Sequence, residues 1–374
     1  MIRYQPLSEF LTEYTLRNDN NQYKPVAVGR YGIRTRDSIY SKELAKDYSK
    51  NKVIYKNTLT VGMGSVQIDI GILTEDIKYS VSPAYHTYEI HDVNPVYLRY
   101  CLECRNQDMF TRFVKRGSRQ GKSIDLKRWL TYAIPVFDVQ EQAEIVSVLD
   151  RVSMQISNRH EQLELFEQLV KSRFIELFES KSWETVRADS IMFNMRNGVS
   201  PSNTGKYLAK VLTLSAITQG DFDSSSWKDG MFEAEPPIEK RVTSSDFYMC
   251  RGNGNKNLVG AGVYSKENRY DLVFPDTVIA ATVDLQRVCL PYLFHSWMRP
   301  SVRDQIEAGA RTTNGTYKIN QGVVSNIELM LPPLELQNVF AAFVEQTDKS
   351  KLAVQKALEE LEILKKSLMQ QYFG

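Results

Sequence analysis

The sequence predicts an α+β protein in which two globular domains alternate with two long helices. Three observations predict it: an internal repeat, two long stretches with apolar residues at alternating steps of three and four, and strand-like segments that precede short helices in each globular part. The predicted domains cover residues 1–140 and 181–332, and the predicted helices cover residues 141–180 and 333–374. A chain of 374 residues is long enough for two or three domains.

The internal repeat has a fixed offset of 195 residues and runs without a gap from residues 97–179 to residues 292–374. It contains twelve identities, which include Tyr97/Tyr292, Gln142/Gln337 and Phe178/Phe373. Both copies pass from a helical stretch, through a loop rich in Gly, Ser, Thr and Arg, to a Pro-containing extended segment and then a long helix. A duplication of so long a period describes architecture, and here it predicts the order globule, helix, globule, helix.

Apolar residues in the two predicted helices have the 3.5-residue spacing of a coiled-coil seam. In the first helix the seam residues are Ile145, Leu149, Val152, Ile156, Leu163, Phe166 and Val170, and in the second Phe340, Val344, Val354, Leu358, Leu361 and Leu368. Charged residues also fall on the seam, at Arg159, Lys351 and Lys365. The alternative is a hairpin of core helices in a larger domain, but each stretch far exceeds the globular mean of about 11–12 residues.

Positive charge is concentrated in the first globular part. Residues 1–140 carry 21 Lys+Arg against 15 Asp+Glu (+6), and residues 141–180 carry 4 against 8 (−4). Residues 181–332 carry 17 against 16 (+1), and residues 333–374 carry 5 against 6 (−1). Charge asymmetry of this kind indicates a binding partner rather than a fold.

The sequence also favours one compartment. The first residues lack the apolar core of a signal peptide, and no apolar run approaches the ~18–20 residues that cross a bilayer. Four cysteines in a chain of this length do not form a disulfide framework. We therefore expect a cytoplasmic protein without membrane contact.

Three groups of basic and amide residues are candidates for DNA contact. The loops at 116–128 and 310–320 occupy equivalent repeat positions, and both place Arg or Lys beside the small polar residues that bind phosphates or base edges. The segment 30–40 interleaves arginine with tyrosine, and the segment 250–257 puts Arg, Lys and Asn on a Gly-rich loop. The candidate residues are Arg30, Arg34, Arg36, Arg112, Lys115, Arg116, Arg119, Lys122, Arg251, Asn253, Lys256, Arg311, Thr313, Asn314 and Lys318. For each group, an ordinary surface loop or turn is the alternative.

Catalytic and metal-binding motifs are weak in this sequence. The segment at 94–97, Asn-Pro-Val-Tyr, is similar to the Asn-Pro-Pro-aromatic motif of adenine methyltransferases, but Val96 departs from it and a helix start with proline in the first turn is favoured. Cys101 and Cys104 lack a second pair at zinc-ligand spacing, so they indicate an apolar helix face. The sequence therefore predicts neither a catalytic residue nor a metal site.

One family matches this arrangement. The segment 134–150 (IPVFDVQEQAEIVSVLD) and its repeat at 330–348 (MLPPLELQNVFAAFVEQTD) resemble the Pro-rich-then-Gln signature that opens each central helix in type I restriction–modification specificity subunits. The first copy keeps only Pro135 of the prolines, whereas the second has Pro332, Pro333 and Gln337. The resemblance covers nearly the whole chain in the family's order of recognition domain, helix, recognition domain, helix.

The resemblance implies a function and a set of partners. The helices would pack antiparallel as coiled coils, and the target-recognition domains at 1–140 and 181–332 would read the two halves of a bipartite double-stranded DNA sequence. The chain would position two methyltransferase subunits, and two restriction–translocase subunits where restriction is present. It would hold no cofactor of its own, because S-adenosylmethionine, ATP and Mg belong to those partners. The remaining alternatives are a stand-alone coiled-coil DNA-binding regulator or scaffold, and an unrecognised DNA methyltransferase or nuclease.

Overall fold

The computed structural model describes residues 3–30, 32–39, 45, 47–117, 121–313 and 315–374, with the side chains of 116, 117 and 313 left out. Helices and strands are mixed along the chain, as the sequence predicts. The chain divides into two compact units. The first comprises Met1–Gln162 with Val354–Gly374, and the second comprises Leu163–Ala353. The predicted domain boundaries stay a prediction, since these units cut through both long helices instead of separating them.

The first unit is built on a four-stranded antiparallel sheet with the spatial order β2 (Leu11–Tyr14), β9 (His86–Ile90), β6 (Thr58–Met63) and β7 (Ile68–Leu73). Two helices, α1 (Pro95–Cys104) and α2 (Asn106–Phe113), contribute to the core that this sheet forms. Asn94 caps α1 by accepting from the backbone N–H of Val96 at 2.9 Å, and Pro95 occupies the first helical position, where its missing N–H costs nothing. The strands of this unit are β1 (Arg3–Pro6), β2 (Leu11–Tyr14), β3 (Val26–Gly29), β4 (Gly32–Thr35), β5 (Lys52–Ile54), β6 (Thr58–Met63), β7 (Ile68–Leu73), β8 (Tyr79–Val81), β9 (His86–Ile90), β10 (Val114–Gly117), β11 (Gly121–Ile124) and β12 (Ala133–Val136).

Smaller pairings complete the first unit. Strand β1 pairs with β12, β3 with β4, β5 with β8, and β10 with β11, all antiparallel. A short helix, α3 (Leu126–Trp129), follows β11, and its Trp129 is fully buried in the core. The hairpin β10–β11 thus lies between α2 and α3, both of which are anchored by apolar side chains.

The second unit repeats this arrangement of a four-stranded antiparallel sheet and two helices, which we call the frame. Its antiparallel sheet has the spatial order β14 (Met192–Asn197), β22 (Val278–Val283), β18 (Asp246–Cys250) and β20 (Gly262–Tyr264). A further sheet has the order β16 (Trp227–Phe232), β15 (Tyr207–Leu212), β21 (Arg269–Val273) and β17 (Arg241–Val242). The helices are α5 (Ser215–Thr218), α6 (Leu290–Trp297), α7 (Pro300–Gly309) and α8 (Gln321–Ser325). The strands are β13 (Thr185–Arg187), β14 (Met192–Asn197), β15 (Tyr207–Leu212), β16 (Trp227–Phe232), β17 (Arg241–Val242), β18 (Asp246–Cys250), β19 (Gly252–Asn253), β20 (Gly262–Tyr264), β21 (Arg269–Val273), β22 (Val278–Val283), β23 (Arg311–Thr313), β24 (Thr316–Lys318) and β25 (Glu328–Met330).

Residues 195 apart occupy the same places in the two units. The hydroxyl of Tyr97 donates to the carbonyl of Pro135, and the hydroxyl of Tyr292 donates to the carbonyl of Met330, both at 2.8 Å. Helix α6 begins 195 residues after α1, and α8 begins 195 residues after α3. The frame sheets also share one strand order, since β2, β9, β6 and β7 correspond to β14, β22, β18 and β20.

Two long helices run through the chain: α4 (Val139–Phe174), whose last turn widens into a π-helix at Ile175–Glu179, and α9 (Leu334–Phe373). In both, the apolar residues of the predicted seam are buried or half-buried. The start of α4, at Ile145 and Leu149, packs in the first unit's core with Phe373 from the end of α9. The second unit holds the opposite ends, with Phe178 packed against Phe340.

Candidate nucleic-acid interface

The first predicted basic loop forms the hairpin β10–β11. Gly121 has a φ of +76°, a conformation that suits glycine at a turn. Lys115 is exposed and its Nζ lies 2.6 Å from the Asp125 carboxylate, while the Nζ of Lys122 donates to the carbonyl of Ser65 at 2.5 Å. Arg116 lies in β10 directly opposite Lys122 in the backbone register. Arg119 and the side chain of Arg116 lie outside the described residues, so their contacts stay predictions.

The second predicted loop forms the equivalent hairpin β23–β24. Arg311 lies directly opposite Lys318 in the register, and both side chains are exposed. Like charges placed opposite each other across a strand pair are destabilising unless an anion lies between them. Neither side chain has a hydrogen bond or an ion pair with any residue that the structure describes. Thr313 lies in β23 with its side chain left out, and Asn314 lies outside the described residues.

The Gly-rich segment 250–257 joins this second hairpin. Strand β19 extends the pair to the order β19-β24-β23, with Asn253 opposite Tyr317. The carbonyl of Arg251 accepts from the backbone N–H of Ile319 at 2.9 Å. Two motifs that are more than fifty residues apart in sequence therefore share one small sheet. Lys256, at the end of the segment, is paired with Glu307 at 2.8 Å.

Comparison with known proteins adds the fold family. No family model matches the chain, and no curated protein matches its sequence. The crystal structure of the type I restriction–modification system S subunit from M. genitalium matches with a TM-score of 0.58 at 13% identity, over 100% of this chain and 96% of that one. The chain has the fold of a type I S subunit.

A second solved structure agrees. It comes from work on the complex assembly and conformational transition of the type I restriction–modification system, and it matches with a TM-score of 0.60 at 16% identity, over 99% of this chain and 97% of that one. Both matches span essentially the full length of the chain. Within the described residues, no helix is both long and apolar enough to span a membrane.

The predicted arginines of segment 30–40 lie on other elements of the first unit. Arg30 is exposed in the turn between β3 and β4, Arg34 is exposed within β4, and Arg36 is half-buried at the start of the short helix Arg36–Ser38. The strands β3 and β4 form a separate pair from the hairpin β10–β11. The structure therefore places this group on a different element from Arg112, Lys115 and Lys122.

Residues that resemble catalytic groups have structural partners. Asn94 is used as a helix cap, and Arg196 pairs with the buried Asp246 at 2.5 Å, which also accepts from Thr243 and Thr282. Burial raises the pKa of the Cys101 thiol to about 12, which makes it a poor nucleophile. No cluster of three or more His, Cys, Asp or Glu that suits a metal is found among the described residues.

Sequence reasoning missed two arginines close to the first hairpin. Arg105, in the break between α1 and α2, and Arg128, on α3, lie with Arg112 around a surface cleft of about 520 Å³. Arg128 lies at the end of the basic segment 116–128, and Arg105 gives no signal in the sequence because it stands within a helical pattern. Only the tertiary arrangement brings them together.

Proposed function

We propose that this chain is the non-catalytic specificity subunit of a type I restriction–modification system. The observation that supports this most is the full-length match to an S-subunit structure by a chain that contains the same frame twice. A frame that occurs twice suits a bipartite DNA target, because each unit would read one half. The long helices would fix the separation of the two halves.

The partners follow from this role. Two methyltransferase subunits would bind the chain, and two restriction–translocase subunits would join where restriction occurs. S-adenosylmethionine, ATP and Mg would be bound by those partners, and the complex would act in the cytoplasm. The net charge of −4 over residues 141–180 suits contact with protein better than contact with DNA.

The base-reading parts are proposed to be the inserts in which the two units differ. The first insert connects β2 to β6 in one unit (15–57) and β14 to β18 in the other (198–245). A second insert lies between β7 and β9 in one unit and between β20 and β22 in the other. It supplies one strand that pairs with a strand of the first insert: β8 pairs with β5, and β21 pairs with β15. Structural elements that are the same in both units cannot distinguish two different half-sites. The inserts, which differ, are therefore the better candidates for base contacts.

Charge supports a different target for each insert. Residues 15–57 carry 10 basic against 4 acidic residues (+6), whereas residues 198–245 carry 5 against 6 (−1). The first insert includes Arg30, Arg34 and Arg36, and arginine makes bidentate contacts to guanine. The shared hairpins β10–β11 and β23–β24, with their basic residues, would hold the DNA backbone in both units.

Methylation-aware sequencing of the host genome, with and without this gene, tests the proposal. We expect a bipartite methylated motif that disappears when the gene is deleted. Purification of the chain should also retain a methyltransferase subunit. A chain that purifies alone and leaves the genome's methylation unchanged would favour a stand-alone DNA-binding regulator. Methylation or cleavage of DNA by the isolated chain would favour an enzyme.

A further inference from the structure

The arginine cleft of the first unit has the composition of an anion site. It has a volume of about 520 Å³ and lies at the base of the hairpin β10–β11, between the end of α2 and the helix α3. The described residues that line it are Tyr4, Arg105, Arg112, Phe113, Arg128, Thr131, Tyr132 and Ala133. Cavities of this volume accommodate small ligands or part of a larger one.

The positive charge in the cleft is only partly compensated. Asp108 is the carboxylate that contacts this group, since it accepts from the Nε of Arg112 at 2.8 Å and from the hydroxyl of Tyr132 at 2.7 Å. Arg105 donates to the Tyr132 hydroxyl at 3.4 Å and to a backbone oxygen of Gly374 at 3.2 Å. Asp108 pairs with Arg112, and Asp125, which also pairs with Lys115, lies near Arg128, so these two carboxylates offset only part of the positive charge.

Two of the guanidinium groups have capacity for a ligand. The Nε of Arg105 is buried and has no hydrogen-bond partner among the described residues. The guanidinium of Arg128 lies 5.9 Å from the centre of the Phe113 ring, and the side chain is exposed. A buried donor without a partner is destabilising, and an anion bound in the cleft would supply an acceptor.

We propose that this cleft binds a phosphate group of the DNA backbone. Guanidinium groups present planar pairs of N–H donors that match phosphate oxygens, and such pairs are stronger than neutral hydrogen bonds. The assignment to DNA rests on the proposed function, because the cleft adjoins the hairpin that is predicted to contact the backbone. Free phosphate has the same chemistry and is treated below as an alternative source.

The second unit lacks the cleft's arginines. At the offset of 195 residues, the positions of Arg105, Arg112 and Arg128 are taken by Pro300, Glu307 and Val323. The contact would therefore be made by the first unit alone, in contrast to the hairpins that both units share. One half-site would be held by more phosphate contacts than the other.

The test compares Arg128→Gln with Lys127→Gln in the full-length chain. Both substitutions remove one positive charge from adjacent exposed positions of α3, but only Arg128 lines the cleft. The probes are inorganic phosphate, followed by its effect on the melting temperature, and a mixed-sequence DNA duplex, whose affinity is measured over a range of salt concentrations. Arg128→Lys, which keeps the charge but loses the planar donor pair, is a second variant in case Arg128→Gln does not fold.

We expect Arg128→Gln to reduce the slope of log affinity against log salt by about 0.9, the value for one phosphate contact, and Lys127→Gln to reduce it less. Arg128→Lys should retain most of the slope but bind inorganic phosphate more weakly than the wild type. Equal slopes for the two glutamine variants would overturn the proposal, even if inorganic phosphate binds, since the cleft would then take free phosphate rather than DNA. A wild-type chain that binds no DNA would overturn the proposed function as well.

Discussion

Gln142 and Gln337, which are 195 residues apart, make the same pair of hydrogen bonds at the start of the two long helices. The side-chain oxygen of Gln142 accepts from the backbone N–H of Asn94, and that of Gln337 accepts from the backbone N–H of Cys289, both at 2.9 Å. Each side-chain nitrogen donates at 2.8 Å to the carbonyl five residues earlier. Both side chains are buried. Each glutamine therefore links the first turn of a long helix by hydrogen bonds to the residue just before α1 or α6.

Replacement of either glutamine by alanine is expected to destabilise the chain. The substitution leaves a backbone N–H and a carbonyl without their partner in a buried position, which costs about 1–3 kcal/mol. Chemical denaturation of Gln142→Ala and Gln337→Ala measures the change in the free energy of unfolding. Gln140→Ala is the matched control, because Gln140 is exposed and bonds only within its own helix to Glu144. A loss in Gln142→Ala no larger than in this control would refute the anchoring role.

The fold can be predicted from the sequence where one local pattern determines an element. The seam residues of the long helices are buried or half-buried as the 3.5-residue spacing requires, and the mixed fold class is confirmed. The apolar spacing over 95–114 favours a short helix, but Arg105, with φ −93° and ψ 4°, divides the stretch into α1 and α2. A single non-helical residue without glycine or proline leaves no mark in the apolar spacing.

Long-range pairing was beyond sequence reasoning. The sequence predicts a Gly-rich loop at 250–257, whereas Gly252 and Asn253 form a strand against β24. The Arg105–Arg112–Arg128 cleft is assembled in the same way from a helix break, a helix end and a separate short helix. Such sites depend on which elements pack together, and one sequence carries no direct signal for that.

The first hairpin is expected to contribute to DNA affinity irrespective of sequence. The triple substitution Arg116→Ala, Arg119→Ala and Lys122→Ala should weaken binding to every duplex and reduce the salt slope by roughly one per lost phosphate contact. The motive is the excess of seven basic residues over one acidic residue between Arg112 and Arg128. Fluorescence titration of the variant against several duplexes measures both quantities. Unchanged affinity and slope would show that the hairpin does not contact DNA.

Acid is expected to destabilise the second unit through His295. Burial lowers the pKa of His295 to about 4, with Asp348 opposing this and Lys351 reinforcing it, and the ring packs 5.0 Å from Phe294 and 5.2 Å from Phe340. In the unfolded chain the same group takes up a proton near pH 6.5. The unfolded state therefore binds more protons between about pH 6.5 and pH 4, so the contribution of His295 to stability falls as the pH falls through that range and is constant above it.

The substitution His295→Phe should remove this contribution. Denaturation of the wild type and the variant at several pH values gives the difference in their free energies of unfolding, which should shift in the variant's favour below about pH 6.5. His160→Gln is the control, since His160 is exposed on α4. A difference that stays constant from neutral pH to pH 4 would contradict the buried neutral state of His295.

Each unit should read its own half of the target. If residues 181–332 are replaced by the second recognition domain of a known type I S subunit, the proposed function predicts that only one half of the methylated motif changes, because the first unit's frame sheet and inserts are its own. Sequencing of methylated DNA from cells that express the chimera measures both halves. The reciprocal exchange of residues 1–140 is the control and should change the other half. A folded, active chimera that altered both halves would argue against independent reading.

The long helices are expected to set the spacing between the half-sites. An insertion of four residues near Glu345 adds about one turn and ~6 Å to α9. At ~3.4 Å per base pair this corresponds to roughly two base pairs. Since the other long helix is unchanged, part of the shift can be absorbed by sliding, and we expect a spacer longer by one or two base pairs with the same bases read at each end.

The methylated motif produced by the insertion variant together with the methyltransferase subunit proposed as its partner measures that spacer. The matched control changes the surface of α9 without changing its length, by alanine at four exposed positions, Gln355, Lys356, Glu359 and Glu360. Because the residue count between the helix ends is unchanged, this control should keep the original spacer. A helix without Pro or Gly between Leu334 and Phe373 transmits an added turn as a rigid element rather than as a flexible linker. An active insertion variant that retained the original spacer would therefore show that something other than these helices sets the spacing between the half-sites.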